Sequence, residues 1–304
     1  MVRVEVLLAT HNGQKYVGEL IESLAHQNGV EIDLVVSDDG STDGTLQIVN
    51  SFTNSFRSLI ILNGPNKGAK NNFAHLIRNS DSDFSAFADQ DDIWLPNHLN
   101  ESVNRLAAYT GSPALAFSKV IEFSDFATSH EWPQISSIPS LSNLLTENLA
   151  RGCTIVLNRE LMNLLKQSNF DEIYMHDWWA VLVAKTCGKV EFVNATAVKY
   201  RIHEENVVGT KKPTYERVRL FLQNYFLYQE WLPQRQASLL FRQFGDFMTK
   251  KDQYLVQTFA NIKDYSLKER YKFLNQENLV LRQSIPENIL LKLILLLVPN
   301  VRFK

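Results

Sequence analysis

Cysteine is nearly absent. Cys153 and Cys187 are the only two in 304 residues, too few and too far apart for a disulfide framework or a structural zinc site. Both read as reduced core residues. Net charge is nearly absent too, with 31 Lys and Arg against 33 Asp and Glu, and no nucleic-acid partner is expected. No GxxxxGKS or GxxxxGKT loop occurs, and no GxGxxG turn follows a strand, which argues against a P-loop kinase and a dinucleotide enzyme alike. The start, MVRVEVLLATHNG, has no charged segment followed by a long apolar run and a cleavage site, so no secretory leader is expected and a cytoplasmic location is. Residues 289–298 read ILLKLILLLV, well short of the ~20 residues that span a bilayer. This stretch suits an interfacial helix or one packed on the domain or on a second subunit.

What is present is an ordinary globular composition, 45% hydrophobic and 21% charged, with no low-complexity tract or repeat. The near-zero charge hides an asymmetry. Residues 1–209 carry 15 Lys and Arg against 25 Asp and Glu, whereas residues 210–304 carry 16 against 8. An acidic part suits metal chemistry; a basic tail suits an anionic surface, another protein or merely a solvated helical face. Two units are expected, 1–210 and 211–304.

Val2 to Ala9 is a β-branched apolar run leading into Thr10-His11-Asn12-Gly13, and helical spacing of Tyr16, Leu20, Ile21 and Leu24 follows. Ile32 to Ser37 repeats the pattern and ends in Asp38-Asp39-Gly40-Ser41. Further strands are expected at Leu59 to Leu62, Phe84 to Ala88, Ala114 to Ile121, Gly152 to Leu157 and Lys189 to Val193. Helices are expected at Asn97 to Tyr109, Glu160 to Gln167 and His176 to Thr186. Ser124 to Ser142, polar and punctuated by proline, reads as a mobile loop. From Pro213 the chain reads as helices only. Alternating strands and helices predict an α/β fold with a doubly wound, mostly parallel sheet, ligands lying beyond the carboxyl ends of the strands.

Asp38 and Asp39 leave one strand beside a turn sequence; they suit contacts to a base or ribose, and equally a turn or helix cap. Asp89-Gln90-Asp91-Asp92 leaves another and is more telling. Three crowded carboxylates repel unless a cation neutralises them, and alternate residues leaving a strand can present two to one hard divalent ion. A metal on Asp91, with Asp89 nearby, would neutralise a diphosphate leaving group. Near Tyr200, His203 can be a third ligand or a packing residue, and Arg201 can bind phosphate bidentately.

The segments VEVLLATHNGQKYVGELIESLAHQ, VVSDDGSTDGT, FADQDDIWLP, MHDWW and YRIHEENVVG together resemble the glycosyltransferase family 2 pattern of the GT-A fold, over about residues 1–210. DQDDIW, HDWW and YRIHEENVVG look most similar to bacterial rhamnosyltransferases of surface polysaccharides. The resemblance implies that Thr10, Asn12 and Gly13 line the nucleotide pocket and that Asp39 reaches the base. It implies that Lys67, Gly68 and Asn72 border the nucleotide or donor sugar, and that Asp89 and Asp91 are donor and metal residues. Gln90 stands where many members have a carboxylate and could contact the ribose as a neutral partner. Gly152 marks a close approach to the donor sugar. Asp177 takes the place of the catalytic base, its pKa raised among aromatic rings; Asp171 is a rival. Trp178 or Trp179 can stack on an acceptor sugar or serve as core, and His176 can support the site or simply pack.

The implied activity is inverting, metal-dependent sugar transfer with Mn²⁺ or Mg²⁺, from a nucleotide-diphosphate sugar such as dTDP-rhamnose to a saccharide or lipid-linked saccharide. Peripheral membrane contact or homo-oligomerisation through the helical tail is the further partner expectation. A UDP-sugar donor, a nucleotidyltransferase and a non-catalytic sugar or lipid-carrier binding subunit are the alternatives. The nucleotidyltransferase would carry a Gly-rich, basic phosphate loop after the first strand, which THNGQKY lacks.

Overall fold

Among the described residues, nine strands form one sheet: β1 (Val2–Thr10), β2 (Val30–Asp38), β3 (Ser58–Asn63), β4 (Phe84–Asp89), β5 (Ile93–Trp94), β6 (Ala114–Ser124), β7 (Ala127–Trp132), β8 (Val156–Asn158) and β9 (Lys189–Arg201). The computed structural model describes residues 1–124, 127–135, 137–203, 232–277 and 279–297. The strand order is β3-β2-β1-β4-β8-β6-β9-β5, with β7 beside β6. Strands β1 to β4 pair in parallel, as do β6 and β9, while β8 runs antiparallel to both β4 and β6. Chain order reverses direction at β1, flanked by β2 and β4, so a crevice opens there beyond the strand ends.

Helices α1 (Val17–Ala25), α2 (Thr45–Ser51), α3 (Ala69–Asn79), α4 (His98–Leu106), α5 (Leu141–Leu144), α6 (Arg159–Lys166) and α7 (His176–Cys187) cover the sheet. Their periodicity explains their placement: α1 buries Val17, Leu20, Ile21 and Leu24, one stripe at helical spacing. In α7 the apolar residues run all round, and Trp178 through Ala184 are buried. It is a core helix. A capping side chain sets the start of α6, where Asn158 accepts from the Leu161 N–H at 3.2 Å.

Among the described residues, four more helices follow: α8 (Leu232–Phe244), α9 (Lys250–Ala260), α10 (Leu267–Leu274) and α11 (Ile285–Leu297). They share one hydrophobic core with α3, α6 and α7 and with one face of the sheet. The expected boundary at residue 210 lies outside the described residues, as do Asn206, Gly209 and the start of the predicted helical tail. On α11, Leu291 and Leu295 point inward, while Ile285, Ile289, Leu293 and Leu297 remain exposed.

Three expectations change. Ser124 to Ser142 is not one loop, because β7 folds back on β6 as an antiparallel partner and α5 follows. Gly152–Thr154 is a turn of 3-10 helix rather than the start of a strand. The last strand runs to Arg201 rather than ending at Val193, with register shifts near Ser118 and Lys119 where it bends along β6.

Candidate active site

A cleft of about 1740 Å³ lies beyond the carboxyl ends of β1, β2 and β4 and is closed on its far side by α7, α8 and the segment before α11. The ends of β2 and β4 deliver acidic residues to it or beneath it. Asp38 is the structural one: it accepts from Thr10 Oγ1 at 2.7 Å and from Ser41 Oγ at 2.6 Å, tying the first two strand ends together. Asp39 lines the cleft, and its two carboxylate oxygens accept the backbone N–H groups of Asn66 at 2.6 Å and Gly68 at 2.7 Å. One acceptor site per oxygen is thus occupied by the loop that carries Gly68, and one remains on each for a ligand.

Gln90 is clamped to the backbone of His11, accepting from its N–H at 2.9 Å and donating to its carbonyl at 3.0 Å. Only an amide can do both, which is a physical reason for Gln where a carboxylate could not donate. Gln90 thus braces β1 against β4 and also lines the cleft, with one amide N–H and one acceptor site left for a ligand. Gly13 is corrected: a Cβ there would meet Gln90 Oε1 at 2.3 Å, and Gly13 does not line the cleft. Thr10, Asn12, Gly68 and Asn72 do line it. Lys67 is exposed and stands outside the wall.

Asp91 and His203 come together across 112 residues, Oδ2 to Nε2 at 2.6 Å, on the cleft wall. Tyr16 stacks on the His203 ring at 5.2 Å and helps hold it there. Asp89 also faces the cleft, its carboxyl pushed up to about 7 by burial first and then by the charges of Asp91 and Asp177. A divalent cation would relieve that crowding, and a carboxylate with a neutral imidazole fits two of its positions, phosphates and water supplying the rest. Among the described residues, the tightest three-ligand group is a different one, Asp89, Asp92 and Cys153. Asp92 is buried and accepts the Arg201 N–H at 3.0 Å, and burial pushes the Cys153 thiol up. A thiol is a soft ligand, and the carboxylate and imidazole of the Asp91–His203 wall match a hard ion better.

Arg201 is corrected from phosphate ligand to buttress. Its guanidinium donates to the Asp91 carbonyl at 3.0 Å and to Glu19 at 2.7 Å, and it lies over the rings of Tyr16 and Phe123. It is buried and does not line the cleft.

Asp177 opens α7 and faces the same cleft. Its Oδ1 accepts the Trp178 N–H at 2.7 Å and its Oδ2 accepts from Asn148 Nδ2 at 3.0 Å. Burial raises its pKa to about 6, against those two hydrogen bonds and the nearby Arg151 charge. Asp171 is exposed and stands away from the cleft, which removes it as a rival base. Next to Asp177, His176 is buried, stacked on Phe73 at 3.7 Å and held neutral, its pKa pushed down to about 3 by burial. Its Nε2 sits 3.3 Å from where a Cβ on Gly152 would be, so little room exists for a side chain there.

The two tryptophans separate. Trp178 lines the cleft while its indole donates to the Leu144 carbonyl at 2.6 Å. Trp179 is fully buried, donates to Ser168 Oγ at 2.7 Å, and belongs to the core rather than to an acceptor contact.

Asn148, Arg151 and Tyr174 also line the cleft and were not foreseen. Arg151 is held between the rings of Trp132 and Tyr200, at 4.8 and 4.7 Å, and pairs with Glu122 at 3.5 Å. A cation one residue before a glycine turn is a weak sequence signal, and its aromatic partners come from β7 and β9.

Residues 5–160 match the model of glycosyl transferase family 2. Over 235 residues the chain is 30% identical to the dTDP-rhamnosyl transferase RfbG of Shigella flexneri, covering 72% of this chain and 80% of that one. It is 25% identical over 211 residues to WfgD of Escherichia coli, a UDP-Glc:alpha-D-GlcNAc-diphosphoundecaprenol beta-1,3-glucosyltransferase, covering 68% and 80%. Its fold is similar to that of S. aureus TarS 1-349, with a TM-score of 0.57 at 16% identity, covering 91% of this chain and 76% of that one. It is also similar to the Pyrobaculum calidifontis mannosyltransferase PcManGT solved with GDP-Man and Mn2+, with a TM-score of 0.53 at 15% identity, covering 90% and 72%. A GT-A-type sheet opening at β1, an acidic cluster ending β4 and a carboxylate opening α7 thus stand in a glycosyltransferase, and the chain belongs to glycosyl transferase family 2.

Proposed function

We propose that this enzyme transfers a sugar, L-rhamnose from dTDP-rhamnose, to a saccharide acceptor with inversion at the anomeric carbon, and that it serves cell-surface polysaccharide synthesis. The observation that carries the reading is one cleft holding Asp177, oriented at both oxygens, together with the Asp91–His203 pair. The rhamnose assignment leans on the likeness to the Shigella enzyme. A UDP-sugar donor is the second reading, favoured by the Escherichia coli relative and by the TarS structure solved with UDP-GlcNAc.

Thr10, Asn12, Asp39, Gly68 and Asn72 form the nucleotide end of the cleft, with Gly152 and Asp89 beside the donor sugar. Asp91 and His203, with Asp89 beside them, would hold Mn²⁺ or Mg²⁺, which when bound offsets the charge of the departing diphosphate. Asp177, its pKa near the working range, takes the acceptor hydroxyl proton as that oxygen bonds to the anomeric carbon and the bond to the diphosphate breaks on the opposite face. The proton ends on Asp177, and no covalent enzyme intermediate is needed. Asn148 keeps the carboxylate aimed. Trp178 stands on the acceptor side.

The helices after residue 232 act as an extension of the catalytic core in this reading, consistent with the core they share with α7. The exposed stripe of α11 is the surface for an inner membrane face or a second copy. No helix among the described residues is long and apolar enough to cross a membrane.

A thermal-shift series with dTDP, UDP, GDP and CMP, each with and without Mn²⁺, tests the reading, because a ligand bound only by the folded state raises the melting temperature. A Mn²⁺-dependent shift largest for dTDP is expected. A preference for UDP would replace the rhamnose, and no shift with any nucleotide would return the chain to a binding subunit.

A further inference from the structure

The Asp91–His203 pair joins a residue just after β4 to one that lies beyond the last strand. β9 ends at Arg201, the Ile202 N–H still donates to the Phe123 carbonyl at 2.8 Å, and His203 stands one residue further on. Its ring nevertheless meets Asp91 at hydrogen-bond distance. Two groups of side chains set it there.

The first belongs to the acidic turn. Asp92 is 1% exposed and accepts the Arg201 N–H at 3.0 Å, while Arg201 Nε donates to the Asp91 carbonyl at 3.0 Å. The end of β9 is thus clasped at two points. The second group comes from the start of α1. Tyr16 is the N-cap residue of that helix; its ring lies 4.6 Å from the Arg201 guanidinium and stacks on the His203 imidazole at 5.2 Å, with 29° between the planes. Glu19, in the first turn, accepts from Arg201 Nη2 at 2.7 Å. Tyr16 and Glu19 are three residues apart, neighbours on one helix surface. The same turn is continuous with the loop that carries Asn12 to the cleft, since the Gly13 carbonyl accepts the N–H groups of Tyr16 and Val17, each at 3.0 Å. An imidazole binds a metal through a lone pair in the plane of its ring, so a stacked partner that fixes the plane fixes the direction of the bond.

We propose that Tyr16 and Glu19 are positioning residues for the metal. Tyr16 sets the plane of the His203 ring, and Glu19 holds the Arg201 side chain against which Tyr16 rests. The proposal rests on the transferase reading above, in which Asp91 and His203 hold the ion. It makes the first turn of α1 the common support of the nucleotide loop and of a metal ligand from the far end of the sheet.

The test measures Mn²⁺ binding by the full chain saturated with dTDP, from the loss of the free-ion electron paramagnetic resonance signal. Binding of dTDP without metal is followed in parallel by calorimetry. Tyr16→Leu should weaken Mn²⁺ binding by about 10–100-fold, the range for losing a partner that orients a ligand, and leave the metal-free dTDP affinity unchanged. Tyr16→Phe keeps the ring and should bind Mn²⁺ as the wild type does. Glu19→Ala should fall between the two, because the Glu19 side chain is 56% exposed and its pair with Arg201 is screened by solvent. In a His203→Ala background, Tyr16→Leu should change nothing further, since a residue that acts through His203 has nothing left to position. Unchanged Mn²⁺ affinity in Tyr16→Leu, an equal loss in the His203→Ala background, or a parallel loss of metal-free dTDP binding overturns the role of Tyr16. Wild-type affinity in Glu19→Ala overturns that of Glu19. A wild type that binds no Mn²⁺ with dTDP present, or whose Mn²⁺ affinity survives His203→Ala, overturns instead the reading on which the proposal rests.

Discussion

The two ends of the cleft are built differently. At the end formed by β1, β2 and β4, polar side chains hold loops and strand ends: Asp39 holds the Asn66–Gly68 loop, Gln90 holds His11, and Asp38 ties β1 to β2. At the end formed by the helices, side chains project from helices and loops, and Arg235 and Tyr174 are exposed. A preorganised end suits a donor whose reacting bond must be aligned, since most of the rate depends on geometry fixed before the reaction. A less constrained end is easier to vary in sequence without unfolding the enzyme.

The sharpest break in that contrast is Asp177, where the two ends meet. Asp177→Asn should lower transfer by on the order of 10²–10⁴-fold, the range a positioned general base supplies, while dTDP still binds. Transfer near the wild-type rate would move the base elsewhere. At the nucleotide end, Asp91→Ala should remove the Mn²⁺-dependent part of the dTDP thermal shift. At a hundredfold excess over Kd a ligand adds about 2.7 kcal/mol, so the loss is readily measured. An unchanged metal increment would assign the ion to Asp89 and Asp92 instead.

Asn148 tests whether the acceptor end carries its own positioning. Its hydrogen bond favours the charged form of Asp177, whose pKa stands at about 6. A general base works deprotonated, so if Asp177 fills that role transfer should rise with pH through that value. Asn148→Ala should lower kcat about tenfold, the worth of one hydrogen bond to a charged group. It should also move the acidic limb of the pH profile upward, because the bond that stabilised the carboxylate is gone. A lower rate with an unmoved limb would mean that Asn148 supports only the fold.

The same contrast explains what could be read from the sequence. The strand side of the cleft is encoded locally: an apolar run followed at once by Asp38-Asp39 or Asp89-Gln90-Asp91 places its carboxylates at a strand end whatever the rest of the chain does. Asp177 was legible for the same reason, as an acid opening a helix of large apolar residues. The helical end draws Asn148, Tyr174, Arg235 and Arg282 from four separate segments that no periodicity connects. Arg201 and Gln90 were legible as polar residues of the site but not as braces. Which way a guanidinium or an amide turns is decided by partners such as Glu19 and His11, many residues away. The hairpin strand β7 was missed because its polar sequence lacks the apolar alternation of a half-buried strand.

Gln90→Glu is the smallest and most specific test of the braced end. A carboxylate keeps the bond from the His11 N–H but cannot donate to the His11 carbonyl, and it adds a charge between Asp89 and Asp91. The lost bond alone should cost about 1 kcal/mol, a fall in Tm of roughly 2–4 °C for a chain of 150–250 residues and somewhat less for a longer one. The added repulsion makes the loss larger at low ionic strength without metal. Saturating Mn²⁺ should return the electrostatic part and leave the hydrogen-bond part. A variant that regains full stability with Mn²⁺ would show that Gln90 is there for its neutral charge. One that regains none would show that it is there for the bond to His11 and that the metal binds too far away to feel position 90.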